Sequence, residues 1–248
     1  MKKRLVSVIV PYYKKKKYFY KAISSIKSQS YKNIEIIVIY DDESKADLNY
    51  IKKLSESKKF KLIINKKNLG AGISRNKGIK KSKGFYIAFL DSDDFWLKDK
   101  LDHQIKFMEK NNISFSHTSY SIIDSDGKDI GYRKVENNLN FKKLLKSCDI
   151  GLSTVVLKKK ILKKCFFPDL STKEDFVLWL KLSQKHKLIG INKKLTKWRK
   201  VENSLSSSVI QKLLDGFRVY RNYMKFNYIK SFKYLIILSI NFLKKSKV

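Results

Sequence analysis

The run Asp91, Ser92, Asp93, Asp94 directly follows the apolar stretch Phe85–Leu90. Three carboxylates within four residues repel one another unless something neutralises them. A divalent cation such as Mg2+ or Mn2+ does so, because both prefer carboxylate and water oxygens and commonly bridge a protein carboxylate to substrate phosphates. Taken by itself, the run has a lesser alternative reading as an Asp-rich turn capping the next helix. Two further polar groups stand in equivalent places: Pro11 to Tyr13 after the run Leu5–Val10, and Asp41 with Asp42 after the run Ile34–Tyr40.

The elements that must carry these groups are legible from hydrophobic pattern. Leu5–Val10, Ile34–Tyr40, Phe60–Asn65 and Phe85–Leu90 are apolar nearly throughout and read as buried strands, the first ended by Pro11. Between them, Tyr18–Ser30 sets Phe19, Ala22, Ile23 and Ile26 at helical spacing, Ala46–Ser57 carries Leu48, Ile51 and Leu54, and Gly70–Lys81 is a third helix with glycine at its start. This alternation implies an α/β fold with a mostly parallel central sheet covered by helices on both faces. Ligands of such sheets bind at the carboxyl ends of the strands, so one sheet edge gathers all three polar groups.

The second half is less regular. Leu97–Lys110 reads as a helix, Ile113–Ser121 as a strand, Asp124–Gly127 as a turn, and Asn140–Ser147 and Glu174–Leu182 as helices with a short strand, Val155–Leu157, between them. From Gln211 the pattern is helical to the end, with a break near Asn227, and no internal repeat or Pro-, Gly- or Ser-rich linker occurs.

At 248 residues and 43% hydrophobic content the chain can build one large domain with a terminal extension. Its 56 Lys and Arg against 22 Asp and Glu give a net charge of +34. The lysines are scattered rather than gathered into an arm, which argues for a solvated surface and no specific nucleic-acid partner. Such a surface attracts anionic phospholipid or a pyrophosphate-bearing donor. Two cysteines, Cys148 and Cys165, make neither a disulfide framework nor a metal spacing, and Met1 to Arg4 with its short apolar sequel lacks a signal-peptide pattern. A cytoplasmic location follows as the expectation. The apolar stretch Tyr234–Leu243 is too short to span a bilayer.

Four segments, VSVIVPYY (Val6–Tyr13), IEIIVIYDDES (Ile34–Ser44), NLGAGISRNKGI (Asn68–Ile79) and FLDSDDFW (Phe89–Trp96), occur in the order and approximate spacing of family 2 glycosyltransferases, which the chain resembles. The resemblance covers about the first 110 residues and continues through single motifs to about residue 208. It implies the nucleotide-diphospho-sugar transferase fold, GT-A, over 1–208, with 1–110 as the nucleotide-binding half, 111–208 as the acceptor half and 209–248 as a C-terminal helical extension. It further implies an inverting enzyme that takes a hexose or N-acetylhexosamine from a UDP-sugar, with Mn2+ or Mg2+ as cofactor. The acceptor implied is a hydroxyl of a lipid-linked or surface glycan such as lipopolysaccharide or capsule.

Carried over position by position, Pro11 and Tyr13, or its neighbour Tyr12, border the nucleobase, with the tyrosine stacking on it. Asp42 accepts the N3 proton of uracil, which selects against cytosine. Arg75 stands near the donor phosphates, in a helix start that suits an anion. Asp91 faces the ribose or the metal, Asp93 ligates the metal, and Asp94 supports from behind. Glu174 and Asp175 match the family's Glu-Asp pair at a helix start, with Asp175 as the base that deprotonates the acceptor hydroxyl. Each position also has a plain structural reading: a packed aromatic for Tyr13, a turn or helix cap for Asp42 and Asp175, a surface arginine for Arg75.

The chain departs from the pattern in places. Lys14 stands where Asn is usual and Glu43 where Gly is usual. Trp198, Arg199, Ser204, Leu205 and Ser206 resemble a distal segment that often carries a His able to reach the metal; none is present, and Glu202 lies near that place. Arg199 is assigned to the donor phosphates, and no second distal metal ligand is named. The QxxRW motif of processive synthases is absent, which favours addition of one sugar. Residues 228–248, with Tyr234, Leu235, Leu238 and Phe242 at helical spacing among lysines, suit peripheral contact with the inner membrane face or packing on the domain. Two rival functions remain at this stage: transfer to a polyprenyl phosphate, and a basic module binding nucleic acid or membrane.

Overall fold

The computed structural model describes residues 3–201 and 208–246. In the first half strands and helices alternate: β1 (Val6–Tyr12), α1 (Lys16–Lys27), β2 (Ile34–Tyr40), α2 (Lys45–Lys58), β3 (Lys61–Ile64), α3 (Ala71–Lys81) and β4 (Tyr86–Phe89). There follow β5 (Phe95–Trp96), α4 (Lys100–Lys110), β6 (Phe115–Ile123), β7 (Asp129–Arg133), β8 (Asn138–Leu139), α5 (Phe141–Leu144), β9 (Val156–Lys158), α6 (Glu174–Ser183), β10 (Leu188–Arg199), α7 (Val209–Arg218) and α8 (Tyr228–Ser246). A 3-10 turn at Leu152–Thr154 precedes β9, and a π-helical turn at Val219–Tyr223 continues α7.

The strands form one sheet in the order β3-β2-β1-β4-β9-β6-β10-β5, with β7 on β6 and β8 on β10. Along this path β3, β2, β1, β4, β6 and β10 point the same way, while β9 and β5 run against their neighbours. The expected mostly parallel α/β sheet is therefore observed, with β9 as an antiparallel insert between its halves. Successive side chains of the central strands reach opposite faces. Val8, Val10 and Val38 pack with α1, α2 and α4, whereas Ile9, Ile37 and Ile39 pack with α3 and α6. Burial on both faces is why these strands read as nearly continuous apolar runs, broken only by Ser7 in β1 and Glu35 in β2.

Helix α3 sits hard on β1. A Cβ added at Gly78 would lie 2.6 Å from Ile9 Cγ2, so only glycine permits this approach. The C-terminal helices join the same core through Val219, Tyr220 and Leu238, and the Tyr220 hydroxyl donates to Leu145 O at 2.7 Å. The expected division at 208 adjoins residues 202–207, so Glu202, Ser204, Leu205 and Ser206 lie outside the described residues.

Pro11 continues β1 instead of ending it. Asp41 N–H bonds to Tyr12 O and Leu90 N–H to Ile9 O, which turns the nitrogen of residue 11 toward β4 just where that strand has stopped. No N–H is needed there, and a proline fits. From β1 the chain passes through α1 to β2 on one side, while β4 lies on the other. The sheet thus has its switch point between β1 and β4, and a crevice opens beyond their carboxyl ends.

Candidate active site

A cleft of about 760 Å3 occupies that crevice, and Tyr13, Arg75, Asp91, Asp93, Glu174 and Asp175 line it. The fold thus brings together residues from β1, α3, the β4 edge and α6.

The acidic run is a tight turn, closed by Asp94 N–H donating to Asp91 O at 3.1 Å. Asp94 points away from solvent. Its Oδ2 accepts the Ser153 hydroxyl at 2.6 Å and its Oδ1 accepts the Arg199 N–H at 2.8 Å. Burial, then repulsion from Asp93 and Asp91, raise its pKa well above the carboxylate range. The same Ser153 hydroxyl accepts Asp91 N–H at 3.1 Å, and Ser153 O accepts the Trp96 indole N–H at 2.7 Å. Ser153 therefore pins both ends of the run and leaves Asp91 and Asp93 facing the cleft.

Asp93 Oδ2 lies 3.0 Å from Lys15 Nζ. Burial and the charge of Asp91 raise its pKa, with Lys15 opposing. This is the electrostatics of a site short of positive charge. Among the described residues no group of three or more His, Cys, Asp or Glu forms a protein cage for a metal. The donor set fits the other mode, in which one or two carboxylates, here Asp93 with Asp91, hold a hard cation whose remaining ligands are diphosphate oxygens and water.

Arg75 is buried, with Nη2 2.7 Å from Asp91 Oδ1 and Nη1 2.6 Å from Glu174 Oε1. Burial alone would lower its pKa, but the two carboxylates outweigh it and raise the value. The guanidinium fork thus bolts α3 to the acidic run and to the start of α6. Gly72, one turn earlier, makes room: a Cβ there would lie 2.8 Å from Pro168 O and 3.1 Å from Glu174 Cγ.

Asp175 stands in the first turn of α6, whose Phe176 to Leu180 are wholly buried and fix the helix start. Its Oδ1 accepts the Phe176 N–H at 2.7 Å. Burial, then the charge of Glu174, push its pKa up to about 7 against the opposing pull of Arg75. A carboxylate poised there can take a proton near neutral pH. Lys173, just before the pair, holds φ at 63°, a left-handed conformation that a non-glycine residue seldom adopts.

Other expected residues stand differently. The Tyr12 ring is buried, stacked on Tyr40 at 5.3 Å, with its hydroxyl donating to Asp47 at 2.6 Å, whereas Tyr13 borders the cleft half-buried. Of the two tyrosines, Tyr13 is the one whose ring is not packed in the core, with Lys14 Nζ 5.1 Å from its centre. Pro11 borders the cleft as expected. Asp42 lies behind the wall and accepts N–H bonds from Lys14, Glu43 and Ser44, while Asp41 lines the cleft and holds Leu69 N–H and Asn65 through Oδ1. Lys14 has φ of 50°, which suits the Asn it replaces better than a lysine.

Arg199 is not among the cleft-lining residues. Its Nε donates to Asp93 O at 3.0 Å, its Nη1 donates to Asp124 O and Ser125 O, and its guanidinium stacks 4.4 Å above the Tyr18 ring. These contacts make it a clamp on the acidic run rather than an open anion site. Ser153, Lys15 and the bridging role of Glu174 went unforeseen: Ser153 sits in no motif, Lys15 is one of four consecutive lysines, and a salt bridge spanning 99 residues leaves no local trace.

Acidic residues at the switch point of a helix-covered sheet, with a base candidate on a facing helix, define a GT-A transferase architecture. The chain belongs to glycosyl transferase family 2, whose model matches residues 7–167. It is 38% identical over 211 residues to the UDP-Glc:alpha-D-GlcNAc-diphosphoundecaprenol beta-1,3-glucosyltransferase WfgD of Escherichia coli, covering 84% of this chain and 82% of that protein. It is 41% identical over 198 residues to an uncharacterized glycosyltransferase of Rickettsia bellii, covering 78% of this chain but only 28% of the length of that relative. In fold it resembles the crystal structure of S. aureus TarS 1-349 in complex with UDP-GlcNAc, with a TM-score of 0.74 at 20% identity over 93% of this chain and 70% of that one.

Proposed function

We propose that this glycosyltransferase is an inverting, divalent-cation-dependent enzyme that moves a hexose or N-acetylhexosamine from a UDP-sugar to a hydroxyl of a lipid-linked surface glycan. The observation that carries the reading is the placement of Asp175, at the firmly packed start of α6, in one cleft with Asp91 and Asp93. In this reading Tyr13 stacks on uracil, while Asp42 shapes the base pocket from behind through its bonds to Lys14, Glu43 and Ser44 and does not itself reach N3. Arg75 adds positive charge beside the diphosphate while keeping Asp91 and Glu174 in place. Asp93, with Asp91, holds Mn2+ or Mg2+, which supplies charge neutralisation to the departing diphosphate. Asp175 takes the proton of the acceptor hydroxyl as that oxygen bonds to the anomeric carbon and the bond to the diphosphate breaks on the opposite face. Arg199 acts on the donor only through Asp93. Residues 1–208 form the transferase unit and 209–248 its extension, and the reaction takes place inside the cell at the membrane's inner face.

WfgD, by its name, acts on a diphosphoundecaprenol-linked sugar, which supports a lipid-linked acceptor here. A phosphate acceptor is already anionic and has less need of a base, so a carboxylate at Asp175 in the cleft favours a hydroxyl. The test is a thermal-shift screen of nucleotide sugars with Mn2+. A UDP-sugar is expected to raise Tm for the wild type and not for Asp93→Ala. If no nucleotide diphosphate stabilises the protein, or Asp93→Ala responds as the wild type does, the proposal fails.

A further inference from the structure

Helices α7 and α8 fold back on each other, with the rings of Phe217 and Phe232 4.8 Å apart and Lys212 Nζ 5.3 Å from the Phe242 ring. Their inner sides join the core, but their outer sides expose large apolar residues. Ile210, Leu213 and Leu214 on α7 are uncovered, Ile210 to 73%, and so is the heptad-spaced stripe Ile229, Ile236, Leu243 on α8, where Ile229 is 82% exposed. Scattered exposed apolar residues are ordinary, whereas two such stripes on adjoining helices mark a binding face. No helix among the described residues is long and apolar enough to cross a membrane, so the face does not belong to a spanning segment.

Charge identifies the occupant. Residues 209–248 contain nine Lys and Arg and a single acid, Asp215, whose side chain is fully buried. A second copy of the same face would bring like charge against like charge. An anionic bilayer matches both features, taking the apolar stripes into its interface and the basic rim against its headgroups. We infer that the outer face of the α7–α8 hairpin docks the enzyme on an anionic membrane surface.

The hairpin is also joined to the cleft. Asp215 Oδ2 accepts both the Thr172 N–H and the Thr172 hydroxyl at 3.0 Å, and Thr172 and Lys173 line the cleft immediately before Glu174 and Asp175. A Cβ at Gly216 would lie 3.5 Å from the Lys173 stem. Docking therefore fixes the base-bearing loop relative to the bilayer, which sets the direction from which a membrane-borne acceptor meets the cleft. This docking deepens the membrane location proposed above and does not depend on which reaction the cleft performs.

The experiment is co-sedimentation of the full chain with phosphatidylcholine vesicles, with and without phosphatidylglycerol, alongside Ile229→Asp/Ile236→Asp and Lys233→Glu/Lys244→Glu. The wild type is expected to bind only the phosphatidylglycerol vesicles. Each double variant should bind them at least about tenfold more weakly, at unchanged Tm and with unchanged stabilisation by UDP-sugar. Failure of the wild type to bind, or binding unaffected by both variants, overturns the inference. So does a wild-type dimer in light scattering that Ile229→Asp/Ile236→Asp converts to monomer, because a second copy then covers the face. Loss of UDP-sugar binding with vesicle binding intact would count against the reaction alone.

Discussion

The pKa of Asp175 makes the pH dependence of the reaction quantitative. With the carboxyl titrating at about 7 instead of the usual 3.8, a base mechanism requires kcat/KM to rise through neutrality. About a tenth of the molecules carry the ionised base at pH 6 and about nine-tenths at pH 8, so kcat/KM should increase roughly tenfold between them. An ordinary carboxylate would give a flat profile there. The same shift has a consequence for stability. Between pH 3.8 and about 7 the folded protein holds a proton on Asp175 that the unfolded chain has released, so this group lowers stability as pH rises through that window. A shift of about three units caps the cost at about 4 kcal/mol, and water in the cleft screens it to about 1–2 kcal/mol. Asp175→Asn should therefore lose at least about a hundredfold in kcat at pH 8 while melting several degrees higher, a gain that vanishes at pH 4. Initial rates against pH and melting curves at the two pH values check both halves. A flat rate profile from pH 5.5 to 8, or a variant keeping a tenth of wild-type activity, would refute the assignment.

Arg75→Met leaves Asp91 and Glu174 facing each other without their shared cation and should cost about 3–5 kcal/mol in urea denaturation; Arg75→Lys should recover only part of that, because one ammonium cannot replicate the fork. Tyr12→Phe removes a buried hydroxyl bond to Asp47 and should cost about 1 kcal/mol of stability while leaving the Kd for UDP unchanged. Tyr13→Ala should do the reverse, weakening UDP binding about tenfold in calorimetry at unchanged Tm. Asp93→Asn relieves a half-buried carboxylate repelled by Asp91, so it should not lower Tm without metal, yet it should abolish the increment that Mn2+ adds to UDP affinity.

The parts of the fold that were legible are those where one periodicity dominates. β2 matches the expected Ile34–Tyr40 residue for residue, because burial on both faces makes it apolar except for Glu35 near its start, and polar residues bound it. The break expected near Asn227 falls between the π-helical turn and α8. β10 escaped notice although it is the longest strand in the described chain. In Leu188–Arg199, Asn192, Lys193 and Lys194 are exposed at an irregularity in its pairing with β6, and they interrupt the alternation that would signal a half-buried strand. β5 and β8, at two residues each, carry too little pattern to be read at all.

The site divides along a similar line. Pro11 near the end of β1, Tyr13 just after it, and Asp91 and Asp93 beyond β4 all border the cleft, because α/β topology alone delivers strand ends to one edge, whereas Asp94 turns inward. Residues whose role depends on a distant partner are not legible in this way. Arg199 carries the charge a diphosphate wants, but three backbone carbonyls and the Tyr18 face compete for its guanidinium, and none of them is visible from its neighbours in sequence. Arg75 shows the converse. Its helix and charge were evident, but only the fold sets Asp91 and Glu174 on either side of it. Because the Arg75 charge opposes the upward push of Glu174 and Asp91 on the pKa of Asp175, the strength of the base depends on a residue on another helix. Replacing Arg75 should move the pH–rate inflection upward in any variant that still folds, whereas replacing Arg199 should leave it in place and act on Asp93.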